Sequence, residues 1–166
     1  MMSDSVTVIE ADLSQPQHQR DVVAMTAAYA MDIMGNNEPL PPGVLERLIP
    51  GLISFPTTII FLAYDQDQAV GIATCFLGFS TFAALPLINI HDLAVVSEYR
   101  GQGISRKLMQ AVENKARELG CAKITLEVLE DNNRARHIYE TAGFHQGSLG
   151  QNKSGMLFYA KRLADG

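Results

Sequence analysis

The chain has 166 residues, enough for one compact domain with its own core. Hydrophobic residues make up 47% and charged residues 19%, a globular composition with no mark of a disordered or fibrous chain. With 13 basic and 18 acidic side chains the formal charge is −5, which argues against nucleic-acid binding by phosphate neutralisation and favours cationic small partners.

In chain order, Met1-Met2-Ser3-Asp4-Ser5 lacks the basic start and apolar stretch of a secretory signal. Val6–Glu10 has the β-branched alternation of a short strand. From Pro16 to Met34, Val22, Met25, Tyr29 and Ile33 recur at helical spacing until Gly35-Asn36-Asn37. A turn holding Pro39, Pro41 and Pro42 leads to a second short helix that ends near Pro50-Gly51. Thr57–Tyr64 and Ala69–Phe79 read as a hairpin around Asp65-Gln66-Asp67-Gln68.

The 23 positions from Gln68 to Ile90 carry no charge, a length that invites comparison with a membrane span. Gly71, Gly78, Ser80, Thr81, Pro86 and Asn89 interrupt the run, and no Lys or Arg occurs between Arg47 and Arg100. Two strands explain it better, the second being Pro86–Val96, so no membrane is expected as a partner. Phe76, Phe79 and Phe82 read as core or wall residues. A helix follows with Ile104, Leu108, Val112, Ala116 and Leu119 on one apolar face and Gly120 at its end.

Lys123–Leu129 reads as a buried strand. Asn132 or Asn133 then caps a helix to Ala142, with Gly143 beyond it. Phe144–Leu149 and Met156–Leu163 complete the order β-α-α-β-β-β-α-β-α-β-β as a closing strand pair, giving one α+β domain over residues 1–166 on a mixed sheet. Cys75 and Cys121 lie 46 positions apart without a C-x-x-C spacing and read as buried thiols of a reducing, cytoplasmic compartment. The four histidines form no metal-binding pattern, so no metal is expected. Asn152-Lys153-Ser154 matches a glycosylation acceptor without secretory context.

The stretch that carries chemistry runs from Ile90 to Ser105, where a strand ends, a loop with Gly101 and Gly103 follows, and a helix begins at once. Free N–H groups and the positive end of the helix dipole make such a turn an anion site, and Arg100 adds a cation. A dinucleotide fingerprint needs a third glycine where Arg106 stands, and there is no Gly-Lys-Ser/Thr for a nucleoside triphosphate. An ordinary tight turn is the other reading of the same glycines.

Arg100-Gly101-Gln102-Gly103-Ile104-Ser105 resembles the Arg/Gln-x-x-Gly-x-Gly/Ala coenzyme A loop of the GCN5-related N-acetyltransferase family, with Ser105 in place of its last small residue. Leu126-Glu127-Val128, then Asn132, Ala135, Tyr139 and Gly143-Phe144, resembles that family's second motif in order and spacing. The resemblance implies an acyl-CoA N-acyltransferase fold and the use of acetyl-CoA as co-substrate. It implies transfer of the acetyl group to a primary amine of a small molecule or peptide, by direct attack in a ternary complex. It also raises homodimer formation. On the same fold the alternative is a non-catalytic acetyl-CoA sensor or interaction module.

Carried over residue by residue, the resemblance implies that backbone groups of Leu93, Ala94 and Val95 pair with the pantetheine arm. The N–H groups of Gly101, Gln102, Gly103, Ile104 and Ser105 would cradle the pyrophosphate beside Arg100. Asn132 would touch the coenzyme arm, and Tyr139 would serve as general acid for the departing thiolate or line the coenzyme pocket. For the base there are two candidates. Glu127 matches ribosomal-protein alanine N-acetyltransferases, and His91 matches arylalkylamine N-acetyltransferases. Period-2 alternation places Asn89, His91, Leu93 and Val95 on one face of the strand and Asp92 on the other, as a structural residue.

Overall fold

The computed structural model describes residues 5–147 and 155–163. It divides into two compact units, residues 1–126 and 127–166. The first unit holds β1 (Val6–Glu10), α1 (Pro16–Met31), α2 (Pro42–Ser54), β2 (Thr58–Asp65), β3 (Gln68–Ser80), β4 (Leu85–Val95), a 3₁₀ turn (Ser97–Tyr99), α3 (Ile104–Glu118) and β5 (Lys123–Leu126). The strands form one sheet in sequence order, antiparallel from β1 to β4 and closed by β5 parallel to β4. The uncharged stretch from Gln68 to Ile90 is therefore two strands of a sheet; no helix among the described residues is long and apolar enough to cross a membrane.

Directly opposed residues of neighbouring strands share a sheet face, so the register sorts the core into two layers. Ile60, Leu62 and Ile72 face α1, where Val22 and Met25 join them, and Ile49 and Leu52 of α2 pack on the same cluster. On the other face a Cβ at Gly71 would meet Leu108 Cδ1 at 3.1 Å and Ile104 Cγ2 at 3.3 Å, which places α3 there. The predicted face of α3 is buried at Ile104, Leu108, Val112 and Ala116, while Leu119 is exposed.

Three element ends depart from expectation. Helix α1 stops at Met31, because Asp32 takes up extended backbone and its Oδ1 accepts the Met34 N–H at 2.9 Å; Ile33 is left exposed. Helix α2 continues through Pro50, whose missing N–H costs one bond while Leu52 beyond it gains core contact. Strand β5 ends at Leu126, not Leu129, and Val128 and Leu129 are exposed. Among the described residues its only partner is β4, and the parallel ladder stops where β4 changes register, after the pair Ile90 and Leu126. Phe79 and Phe82 are exposed at the β3–β4 connection, which excludes the core alternative of the core-or-wall expectation for them, whereas Phe76 is half-buried.

In the second unit, α4 (Asn133–Thr141) begins at Asn132, whose Oδ1 accepts the Ala135 N–H at 3.2 Å. It ends through Gly143, at φ 94°, with the Phe144 N–H donating to the Tyr139 carbonyl at 3.0 Å. The expected closing strands are not formed among the described residues: 144–147 and 155–163 carry no regular structure. One backbone bond, Met156 N–H to Gly147 O at 3.3 Å, joins them. Leu157, Phe158 and Tyr159 are all exposed, so no alternating face is buried to fix a register. Leu149 and the triplet Asn152-Lys153-Ser154 lie outside the described residues.

Candidate active site

The site is built on the second half of β4. Cys75 opposes Ile90 and Thr74 opposes Asp92, so one step on β3 spans two on β4 and His91 is the extra residue of a β-bulge. The bulge breaks the alternation expected from sequence. Leu93 and Val95 oppose Ala73 and Gly71 and share the α3 face with Ile88 and Ile90. Asp92 and Ala94 oppose Thr74 and Ile72 and lie on the α1 face, the face of Asn89. Asp92 is thus on the same side as Asn89, contrary to the opposite-face placement. The apolar spacing Ile88, Ile90, Leu93, Val95 lengthens from two to three at this point, and that was the legible sign of it.

Beyond Ile90, β4 keeps β3 on one side and no strand lies on the other among the described residues, so Leu93, Ala94 and Val95 present an open row of backbone groups. The strand leads into the 3₁₀ turn and then into the glycine turn. Gly101 and Gly103 have φ of 78° and 81°, the left-handed region where a side chain is strained, and Gly103 caps α3. Among the described residues no hydrogen-bond acceptor faces the N–H groups of Gly101, Gln102, Gly103, Ile104 and Ser105. Consecutive free donors at the start of a 15-residue helix form an anion-binding cradle.

Arg100 does not point into that cradle. Its Nε donates to the Val95 carbonyl at 3.1 Å and its guanidinium pairs with Asp32 at the end of α1. That bond, and then the Met34 N–H, hold the Asp32 carboxyl below the ordinary carboxylate range. Tyr29, Asp32, Ala94, Val96, Ser97 and Arg100 line a cavity of about 200 Å³ between the end of α1 and the strand end. Burial first, then the carboxylates Asp92 and Asp32, push the Tyr29 phenol up, so it stays protonated.

His91 is exposed, its ring edge-on to Phe76 at 5.7 Å and 72°. Asn89 donates to Thr125 Oγ1 at 3.0 Å, so its amide ties β4 to β5. The first unit therefore gathers His91, Leu93, Ala94, Val95 and residues 100–105 along one strand and turn. Glu127, Asn132 and Tyr139 belong to the second unit. There Glu127 is exposed just past β5, Asn132 caps α4, and Tyr139 is half-buried with its ring 6.1 Å from that of Phe144.

A sequence model of the acetyltransferase (GNAT) family matches residues 26–144, from α1 through α4. The chain belongs to that family. N-alpha-acetyltransferase 30 of Schizosaccharomyces pombe is 39% identical over 84 residues, covering 51% of this chain and 55% of its own. Thialysine N-epsilon-acetyltransferase of Bos taurus is 36% identical over 74 residues, covering 45% of this chain and 43% of its own. The chain thus spans about half the length of these curated relatives. The crystal structure of a probable acetyltransferase superposes with a TM-score of 0.77 at 19% identity, over 94% of this chain and 99% of the other. That likeness shows the GNAT fold.

Within this GNAT chain, sequence reasoning missed Tyr29 and Asp32, read only as helix residues, and misplaced Asp92. Nothing in the sequence of α1 marks Tyr29 or Asp32; their positions depend on how α1 lies across the sheet.

Proposed function

We propose that this chain is an acetyl-CoA-dependent N-acetyltransferase that moves an acetyl group to a primary amine of a small molecule or peptide within a ternary complex. The observation that carries the reading is the run of free N–H groups from Gly101 to Ser105 at the start of α3, next to an open strand edge. A pyrophosphate fits the first and an amide-bearing pantetheine arm fits the second. The family match from 26 to 144 runs through both units and supports reading the chain as one domain. The two free thiols fit a cytoplasmic, reducing compartment.

In this reading the Gly101–Ser105 N–H groups hold the pyrophosphate, and Leu93, Ala94 and Val95 align the arm through their backbone. An N–H of that strand faces the thioester oxygen and steadies charge as it develops there. Arg100 lends its charge while remaining tied to Asp32, and Asn132 caps α4 against the arm. His91 or Glu127 accepts the amine proton, and Tyr139 returns a proton to sulfur.

Calorimetric titration of the folded chain with acetyl-CoA tests the reading. Saturable one-to-one binding, followed by thiol release with an amine, is expected; absence of binding overturns it. Binding without thiol release across primary amines would instead assign the chain as a sensor.

A further inference from the structure

The bulge at His91 sets a carboxylate in an unusual position. Asp92 is half-buried on the α1 face, and no described group donates a hydrogen bond to it. Cationic partners are scarce around it: no Lys or Arg occurs between Arg47 and Arg100, and Arg100 is committed to Asp32 and the Val95 carbonyl. The titratable groups whose fields reach Asp92 are Tyr29 from α1, Cys75 from β3 and its neighbour His91. Burial pushes its carboxyl up, and His91 only partly offsets this. A carboxylate withdrawn from water without a donor is costly unless a cation meets it.

Beside Asp92 the same face carries a ladder of rings. Phe55, at the end of α2, stands edge-on to Phe76 at 5.7 Å, and Phe76 stands edge-on to His91 at the same spacing. Phe55 is 57% exposed, so the outer end of the ladder is an uncovered apolar surface. Ring edges and faces at this spacing receive an apolar or aromatic body well.

We propose that Asp92 is the counter-ion for the acceptor's ammonium and that the Phe55–Phe76–His91 ladder holds the apolar body attached to it. The acceptor is then a primary amine on an apolar body, either a free amine or the N-terminus of a peptide with an apolar first residue. This rests on the acetyltransferase reading above and names its acceptor class. A long polyamine or a sugar-borne amine offers the charge without the body.

The test is ligand-observed NMR on the whole chain at neutral pH, with coenzyme A present, using 2-phenylethylamine and the peptide Phe-Ala-Ala-Ala amide as probes. Spermidine and the uncharged 2-phenylethanol serve as comparisons. At least one of the two probes is expected to bind more tightly than both comparisons, and whichever binds better identifies the source of the amine. Asp92→Asn is expected to weaken that probe about tenfold or more without loss of thermal stability, and Phe55→Ala to weaken it several-fold. Equal binding to Asp92→Asn and wild type, equal binding of 2-phenylethanol, or tighter binding of spermidine would overturn the proposal. So would failure of Asp92→Asn to fold, which would make the carboxylate structural. A separate titration with coenzyme A alone reports on the coenzyme site: absence of that signal overturns the acetyltransferase reading and this proposal with it, whereas coenzyme A binding without selective binding of the amine probes overturns this proposal alone.

Discussion

At the scale of single residues, the roles assigned to Tyr139 and Gly103 separate chemistry from binding. Replacing Tyr139 by Phe removes one hydroxyl and keeps the ring against Phe144. Turnover is expected to fall by about 10²–10⁴ while acetyl-CoA affinity stays near wild type, as read by steady-state kinetics beside calorimetry. Gly103 acts through backbone. At φ 81° a side chain costs about 1–3 kcal/mol of strain, and a carboxylate there also repels a bound anion. Gly103→Glu is therefore expected to abolish coenzyme binding in the same titration. The glycine pair was legible in sequence as a local strand-to-helix pattern, whereas the role proposed for Tyr139 comes from the resemblance of its spacing after Asn132 to the family motif. Asp92 was misplaced because strict alternation assumes no inserted residue, although the longer apolar step from Ile90 to Leu93 marks one.

At the scale of elements, Asp32 does two jobs at one helix end: one oxygen closes α1 through Met34, and the other pairs with Arg100 after β4. Because the folded chain holds this carboxyl below its ordinary range, it binds the proton less readily than the unfolded chain does. The contribution is therefore present above about pH 4 and is lost as pH falls through the lowered value. Asp32→Asn keeps an acceptor for the Met34 N–H and removes the charge. Its stability deficit, measured by denaturant unfolding, is expected at pH 7 and should narrow toward zero in acid. The cap of α4 offers a second test: Asn132→Ala is expected to cost about 1 kcal/mol, read as loss of α4 helicity or of amide protection. Helix starts were readable from Pro16, Pro42 and Asn132. Helix ends were less so, since α1 stops on a side-chain bond and α2 passes its proline for the sake of core contact.

For the whole molecule, the order of the first nine regular elements, from β1 through α4, follows from periodicity and turn residues alone. The closing pair does not, because alternation in sequence forms a strand only when a partner and a buried face exist, and among the described residues Leu157 to Tyr159 have neither. Thiol chemistry checks the sheet as a unit. Cys75 is fully buried in β3 and burial pushes its thiol up to about 12, whereas Cys121 is only half-buried. In native protein a thiol reagent is expected to modify Cys121 ahead of Cys75, with Cys75 labelled only upon unfolding; mass spectrometry of labelled peptides reads this directly.

The inserted residue at position 91 has a consequence for how this strand tolerates change. It works as a phase shifter: positions before and after it count their sides from different origins. Deleting His91 while keeping every other residue would leave Leu93 and Val95 towards α3 and Asp92 towards α1, because Ile90 and Asp92 would then follow one another as their partners Cys75 and Thr74 do. A one-residue gap there would therefore be absorbed by the loss of the bulge, whereas a gap in the regular part of the strand would exchange the linings of both faces beyond it.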